Sequence, residues 1–222
     1  MQRVAFIVDD GNQAACLLKK RLERQGWKVC RGSLTSEQQE DCYPVDLSSE
    51  KSFQNAAEQI RQRYGALDLL IHLFDPERTA EHACNDARKK AALSCFDCFA
   101  LGQVRSVNAF YDLLKKGGMR EICWLTVVDA SQNAYRAGVR DLQMAAASLN
   151  MAAAITFNQL RKEGFIFRLY AASESDWKNA EALSAKLELL YLTDRFADEH
   201  NPDRRAELML YKQDICGRVI PW

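Results

Sequence analysis

The sequence has no net charge, no long apolar run, few histidines and no repeat or linker, and each absence removes a class of function. Thirty Lys and Arg balance thirty Asp and Glu in 222 residues, so no overall basic field draws nucleic acid. Clusters such as Lys19-Lys20-Arg21 and Arg204-Arg205 read as solvated helix faces. No apolar run approaches the roughly 20 residues that span a bilayer. The opening Met1-Gln2-Arg3 enters a strand-like run without a secretory pattern. The one close cysteine pair, Cys95 and Cys98, has no second pair or histidine at ligand spacing, which argues against zinc. The other cysteines are scattered, as reduced thiols are. The expectation is a cytoplasmic chain that binds neither nucleic acid nor membrane, and a single domain over residues 1–222.

What is present is an alternation. Val4 to Val8 is a short apolar run that ends in the turn Asp9-Asp10-Gly11. Helical spacing follows from Gln13 to Gln25, with Gly26 as its stop. Strands are expected at Trp27–Cys30, within Asp41–Leu47, at Leu67–Phe74, at Glu121–Val128 and at Phe165–Tyr170. Ser48 is placed to cap a helix over Glu50–Tyr64. Longer helices are expected at about 80–116, from 134 or 140 to 163, and at 175–199, with a last extended segment near 207–211 or 217–220. Strands alternating with helices give a doubly wound parallel sheet of about seven strands, Rossmann-like, in three α/β/α layers.

Several stretches resemble the short-chain dehydrogenase/reductase family. Val4 through Val29 overlays its opening strand, turn, helix and second strand without a gap. Val45-Asp46-Leu47-Ser48 is similar to its aspartate segment beside the adenine, and Tyr64 to Ile71 to the approach to its fourth strand. Ala147-Ser148-Leu149-Asn150-Met151 resembles the run after its catalytic tyrosine and lysine. Phe6 to Asp10 also resembles the acidic opening of receiver domains. The extra strand near Val45 and the long interval from Asp75 to Thr126 speak against that reading.

The resemblance implies chemistry that these residues do not carry. The family's T-G-x-x-x-G-x-G falls on Val8, Asp9, Gln13 and Ala15, so its glycines are replaced. Glycines there let the backbone approach a pyrophosphate. Gln13 adds bulk and Asp9 a negative charge. Two like charges about 4 Å apart repel by roughly 4 kcal/mol at an effective dielectric near 20, about a thousandfold in binding. Phe74 stands where a small residue leaves room for the cofactor. The tyrosine and lysine positions fall on Leu142 and Ala146, the asparagine position falls near Phe99, and no serine lies in 127–129. Ser131 and Thr126 are the hydroxyls nearest the serine position, and Tyr135 is the candidate for a displaced acid.

The expectation is therefore a non-catalytic assembly or ligand-sensing subunit with no catalytic, cofactor-binding or metal residues and no cofactor. The alternative is an oxidoreductase using NAD or NADP with displaced catalytic groups. Crevice candidates are Asp9, Asp10, Gly11, Asp46, His72, Asp75, Thr126 and Asp129. His72 reads as a packed residue. The acidic strand ends, with Glu174 and Asp176, read as helix-start acceptors; a cation-binding module is the third class. The small-molecule ligand is not identified by the sequence. Surplus apolar residues Phe99, Leu101 and Phe110, with the alanine-rich helix around Ala145–Ala154, point to a homo-oligomer, or a hetero-oligomer with an active relative, through the two long helices.

Overall fold

The computed structural model describes residues 2–34, 40–75, 88–128, 130, 140–189, 210, 212–220 and 222. Seven parallel strands form the sheet: β1 (Val4–Asp9), β2 (Lys28–Ser33), β3 (Cys42–Pro44), β4 (Leu69–Leu73), β5 (Glu121–Val127), β6 (Ile166–Ala172) and β7 (Lys212–Asp214). Their order is β3-β2-β1-β4-β5-β6-β7. The chain thus winds outward one way from β1 and then reverses between β1 and β4. β1 and β4 are buried along their whole length, which is why they read as near-continuous apolar runs, interrupted only by Asp9 and His72.

Helices cover both faces. On one face lie α1 (Gln13–Arg24), which packs Ala14, Ala15, Leu18 and Leu22 inward, and the helical residues 180–189 with Leu183 and Leu187. On the other lie α2 (Glu50–Tyr64), α3 (Arg88–Cys95), α4 (Gly102–Lys116) and α5 (Arg140–Leu160). Ser49, not Ser48, caps α2 through its side chain, and Gly65 closes it in the left-handed conformation. The expected helix at 175–199 begins as two pieces, α6 (Glu174–Trp177) and 180–189. The last strand falls between the two positions the sequence suggested.

Between α3 and α4 runs a π-helical turn, Phe96–Leu101, closed by an i→i+5 bond from the Gly102 N–H to the Asp97 carbonyl. Such a turn holds more residues per revolution, so an apolar stripe counted through it at 3.6 drifts off the buried face. Phe99 and Phe110 are consequently core residues, 1% and 0% exposed, rather than an interface surplus. Leu93, Phe96 and Leu101 are the residues left outside.

Candidate functional site

In an open α/β sheet the ligand crevice lies beyond the carboxyl ends of the strands where the winding reverses. Here that point is between β1 and β4, and five of the candidate residues stand around it. Asp9 ends β1 and is fully buried. It is not a free charge. Arg31, from the neighbouring β2 and 2% exposed, donates Nε to Asp9 Oδ2 at 2.9 Å and Nη2 to Oδ1 at 2.7 Å. This bidentate pair cancels the repulsion expected of Asp9, so that argument against a dinucleotide falls.

Gly11 takes a positive φ of 80°, and its N–H donates to Asp9 Oδ1 at 2.8 Å. Asn12 is the N-cap of α1, its Oδ1 accepting from the Ala15 N–H at 2.9 Å. Asp10 Oδ1 accepts from the Asn12 N–H at 3.2 Å, and Oδ2 accepts from the Asp75 N–H at 3.0 Å. The backbone donors of Gly11, Asn12 and Ala15 are therefore all engaged by the chain's own oxygens. In this conformation the turn does not fit a diphosphate, which would need those donors.

Gln13, expected to crowd the phosphates, is exposed on the first turn of α1. Phe74, expected to fill the cofactor space, is turned into the core and stacks on His72 with centroids 6.0 Å apart. His72 itself is fully buried beside Trp124. Its Nε2 meets Ser106 Oγ, which also lies 2.9 Å from the Gln103 carbonyl. Nδ1 is left buried without a hydrogen-bond partner. Burial pushes this imidazole down to about 3, so it is neutral at physiological pH.

Thr126 is buried near the end of β5, with no partner for its Oγ1. Asp46 lies apart from this group. It is exposed beyond β3, where its Oδ1 accepts from the Ser48 N–H and hydroxyl at 2.9 and 2.7 Å. It borders an open groove of about 440 Å³ shared with Ser49, Ser52 and Asn55. Asp129, Ser131 and Tyr135 lie outside the described residues. At the end of β6, Asp176 and Ser173 form a reciprocal cap at the start of α6, and Glu174 pairs with Lys178. Asp9, Asp10, Asp46, Glu174 and Asp176 thus act as turn and helix-start acceptors or ion-pair partners. Among the described residues, no three His, Cys, Asp or Glu side chains form a group that could hold a metal.

Sequence reasoning missed Arg31 and Asn12. Arg31 carried a signal of its own, a lone arginine inside a buried strand, because an arginine there requires a carboxylate.

No family model and no curated protein sequence matches this chain. Solved structures do. An oxidoreductase of the short-chain dehydrogenase/reductase family from Brucella ovis, in complex with a partially ordered NAD, superposes with a TM-score of 0.68 at 13% identity, covering 96% of this chain and 99% of that one. An alcohol dehydrogenase from the archaeon Thermococcus sibiricus, complexed with 5-hydroxy-NADP, gives 0.61 at 17% identity, covering 78% and 77%. Ligand-free aldohexose dehydrogenase from Thermoplasma acidophilum gives 0.62 at 12% identity over 78% of this chain, which spans 66% of that enzyme's length. The fold is that of short-chain dehydrogenases and reductases. The expectation of no cofactor is corrected accordingly, since two of these proteins hold a dinucleotide on the same fold.

Proposed function

We propose that this chain is a non-catalytic member of the dehydrogenase fold, an assembly or ligand-sensing subunit whose ligand class is a nicotinamide dinucleotide. The ligand class rests on the neighbours that hold NAD and 5-hydroxy-NADP. The non-catalytic role rests on α5. Where the resemblance implies a tyrosine and a lysine, this helix carries Leu142, half-buried, and Ala146, fully buried. Hydrocarbon side chains neither pass a proton nor hold the charge that lowers a neighbour's pKa.

The test is turnover. The purified chain is mixed with NADH or NADPH and a panel of aldehydes and ketones, and nicotinamide absorbance is followed beside calorimetric titration of the same cofactors. Binding without oxidation of the cofactor is the expected result. Carbonyl-dependent oxidation that disappears in Tyr135→Phe would instead establish the oxidoreductase with displaced catalytic groups.

The assembly role is supported by an apolar face. Met144, Met151 and Ile155 project from α5 into solvent, and Leu93, Phe96 and Leu101 are exposed on the preceding helical stretch. α5 and that stretch are both packed on one face of the sheet. A second copy of this chain, or an active relative, is the partner proposed for that surface.

A further inference from the structure

Lys212 is completely buried, and its Nζ has no hydrogen-bond partner among the described residues. A lysine is almost never found in that state, because an ammonium taken out of water needs a counter-charge. Its place in the sheet shows why none is at hand. Val8, His72, Trp124, Leu169 and Lys212 are successive register partners, a row across β1, β4, β5, β6 and β7. Register partners point to one face, and Val8, Trp124 and Leu169 lie in the core beneath α2, α4 and α5. Leu210, two residues before Lys212, lies in the same core. Two residues after it, Asp214 is engaged elsewhere, accepting from the N–H groups of Cys216 and Arg218 at 2.9 Å and from Arg218 Nε at 2.7 Å. Burial, with no neighbouring charge to offset it, pushes the Lys212 amine below the usual lysine range. More of it is therefore the neutral, nucleophilic amine than at a lysine on the surface.

The cover on the outer side is light. β7 is the last strand in the sheet order. Beyond it, among the described residues, 218–220 return antiparallel through the Gln213–Val219 bridge and the bond from the Ile220 N–H to the Lys212 carbonyl at 2.9 Å. Val219 is 62% exposed, and a segment with so little buried opens at low cost. We propose that Lys212 is a reactive amine that takes up a short-chain aldehyde as a reversible imine. Nζ adds to the carbonyl carbon, and both amine hydrogens then leave with the carbonyl oxygen as water, so the C=N bond forms without an oxidant or reductant. An imine can stay neutral like the amine it replaces, which suits a row that holds no counter-charge. A carboxylate ligand would have to shed its own water to gain one buried ion pair, an exchange that roughly breaks even. Complete burial of the lysine stem limits the aldehyde to a short chain. The site depends neither on a nicotinamide dinucleotide nor on the helix surface proposed for assembly.

The experiment equilibrates the full chain with millimolar propanal, reduces any imine in place with cyanoborohydride, and maps the adducts by mass spectrometry. At neutral pH Lys212 should carry at least about tenfold more adduct than the surface lysines, since each unit of lowering multiplies the free amine tenfold. The preference should shrink as pH rises toward about 10, where the surface lysines lose their protons too. In urea it should vanish, because every lysine is then solvated alike. A Lys212 adduct no more abundant than those at the surface overturns the proposal, and so does a preference that persists in urea. Acetate at the same concentration is the control: protection of Lys212 by acetate would mean that the amine takes up an anion as ammonium, which also overturns it. Lys212→Met keeps an unbranched apolar stem and removes the amine, so its intact mass should show most of the neutral-pH adduct gone; an undiminished adduct places the reaction elsewhere and sinks the site. Should Lys212→Met not fold, the peptide map of the unmodified chain decides.

Discussion

At the scale of single residues, His72 is the titratable group whose burial has the plainest consequence. Its ordinary value is 6.5 and burial takes it to about 3. The unfolded chain therefore binds a proton through this interval that the folded chain refuses. Stability should fall as pH drops below about 6.5, by about 1.4 kcal/mol per unit until the folded ring titrates; above that window the ring contributes no slope. His72→Phe removes the effect, and the Ser106 hydroxyl keeps its bond to the Gln103 carbonyl. Urea denaturation at stepped pH values between 7 and about 4.5 should show the unmodified chain losing stability faster than the variant. Parallel profiles would mean that the imidazole becomes protonated inside the fold. The acidic turn was legible in the sequence at this scale, but its partners were not. Asp9 and Arg31 are 22 positions apart and meet only because β1 pairs with β2, Ile7 lying opposite Arg31.

At the scale of elements, most boundaries followed from local chemistry. The α2 helix spans the expected Glu50–Tyr64 because its serine cap and closing glycine lie within the same short stretch. The double glycine Gly117-Gly118 ends α4, and the structure gives the reason for the first of the two. A Cβ built on Gly117 would lie 2.0 Å from the Leu67 carbonyl oxygen, and backbone cannot yield as a flexible side chain can. Gly117→Ala should cost about 3 kcal/mol, a fall in melting temperature of roughly 6–12 °C for a domain of this size. A change within two degrees, read by calorimetry, would mean that β4 and α4 can move apart. The π-helical turn was not legible. Its extra residue per revolution leaves no mark in composition, so an apolar stripe followed at 3.6 residues per turn loses its phase there.

At the scale of the whole molecule, the exposed apolar face on α5 and the stretch from α3 to α4 bears on assembly. Met151 is 64% exposed and lies between Met144 and Ile155 on the same helix. Light scattering after size exclusion should report at least two chains at about 50 μM, well above the dissociation constants of specific interfaces. Met151→Arg should lower the mass to one chain with little change in melting temperature, since the side chain is mostly exposed to solvent in the monomer. A monodisperse monomer from the unmodified chain would reject self-association and leave only the partner that is a relative.

Taken alone, the sequence determined the alternation of strands and helices, hence the parallel doubly wound sheet and the winding that puts a crevice beyond its carboxyl ends. Strand runs, helix stripes, caps and stops depend on residues a few positions apart, so they can be read along the chain. Only the tertiary structure decided what stands at that crevice. Asp10 and Asn12 reach across 65 and 61 positions to Asp75 and Leu73, and Arg31 reaches across 22 to neutralise Asp9. Phe74 and Phe99 turn inward because the sheet and the π-helical turn leave them no other direction to bury their rings. These contacts are made by strand pairing and helix phase, which bring together groups whose separation along the chain carries no record of their meeting.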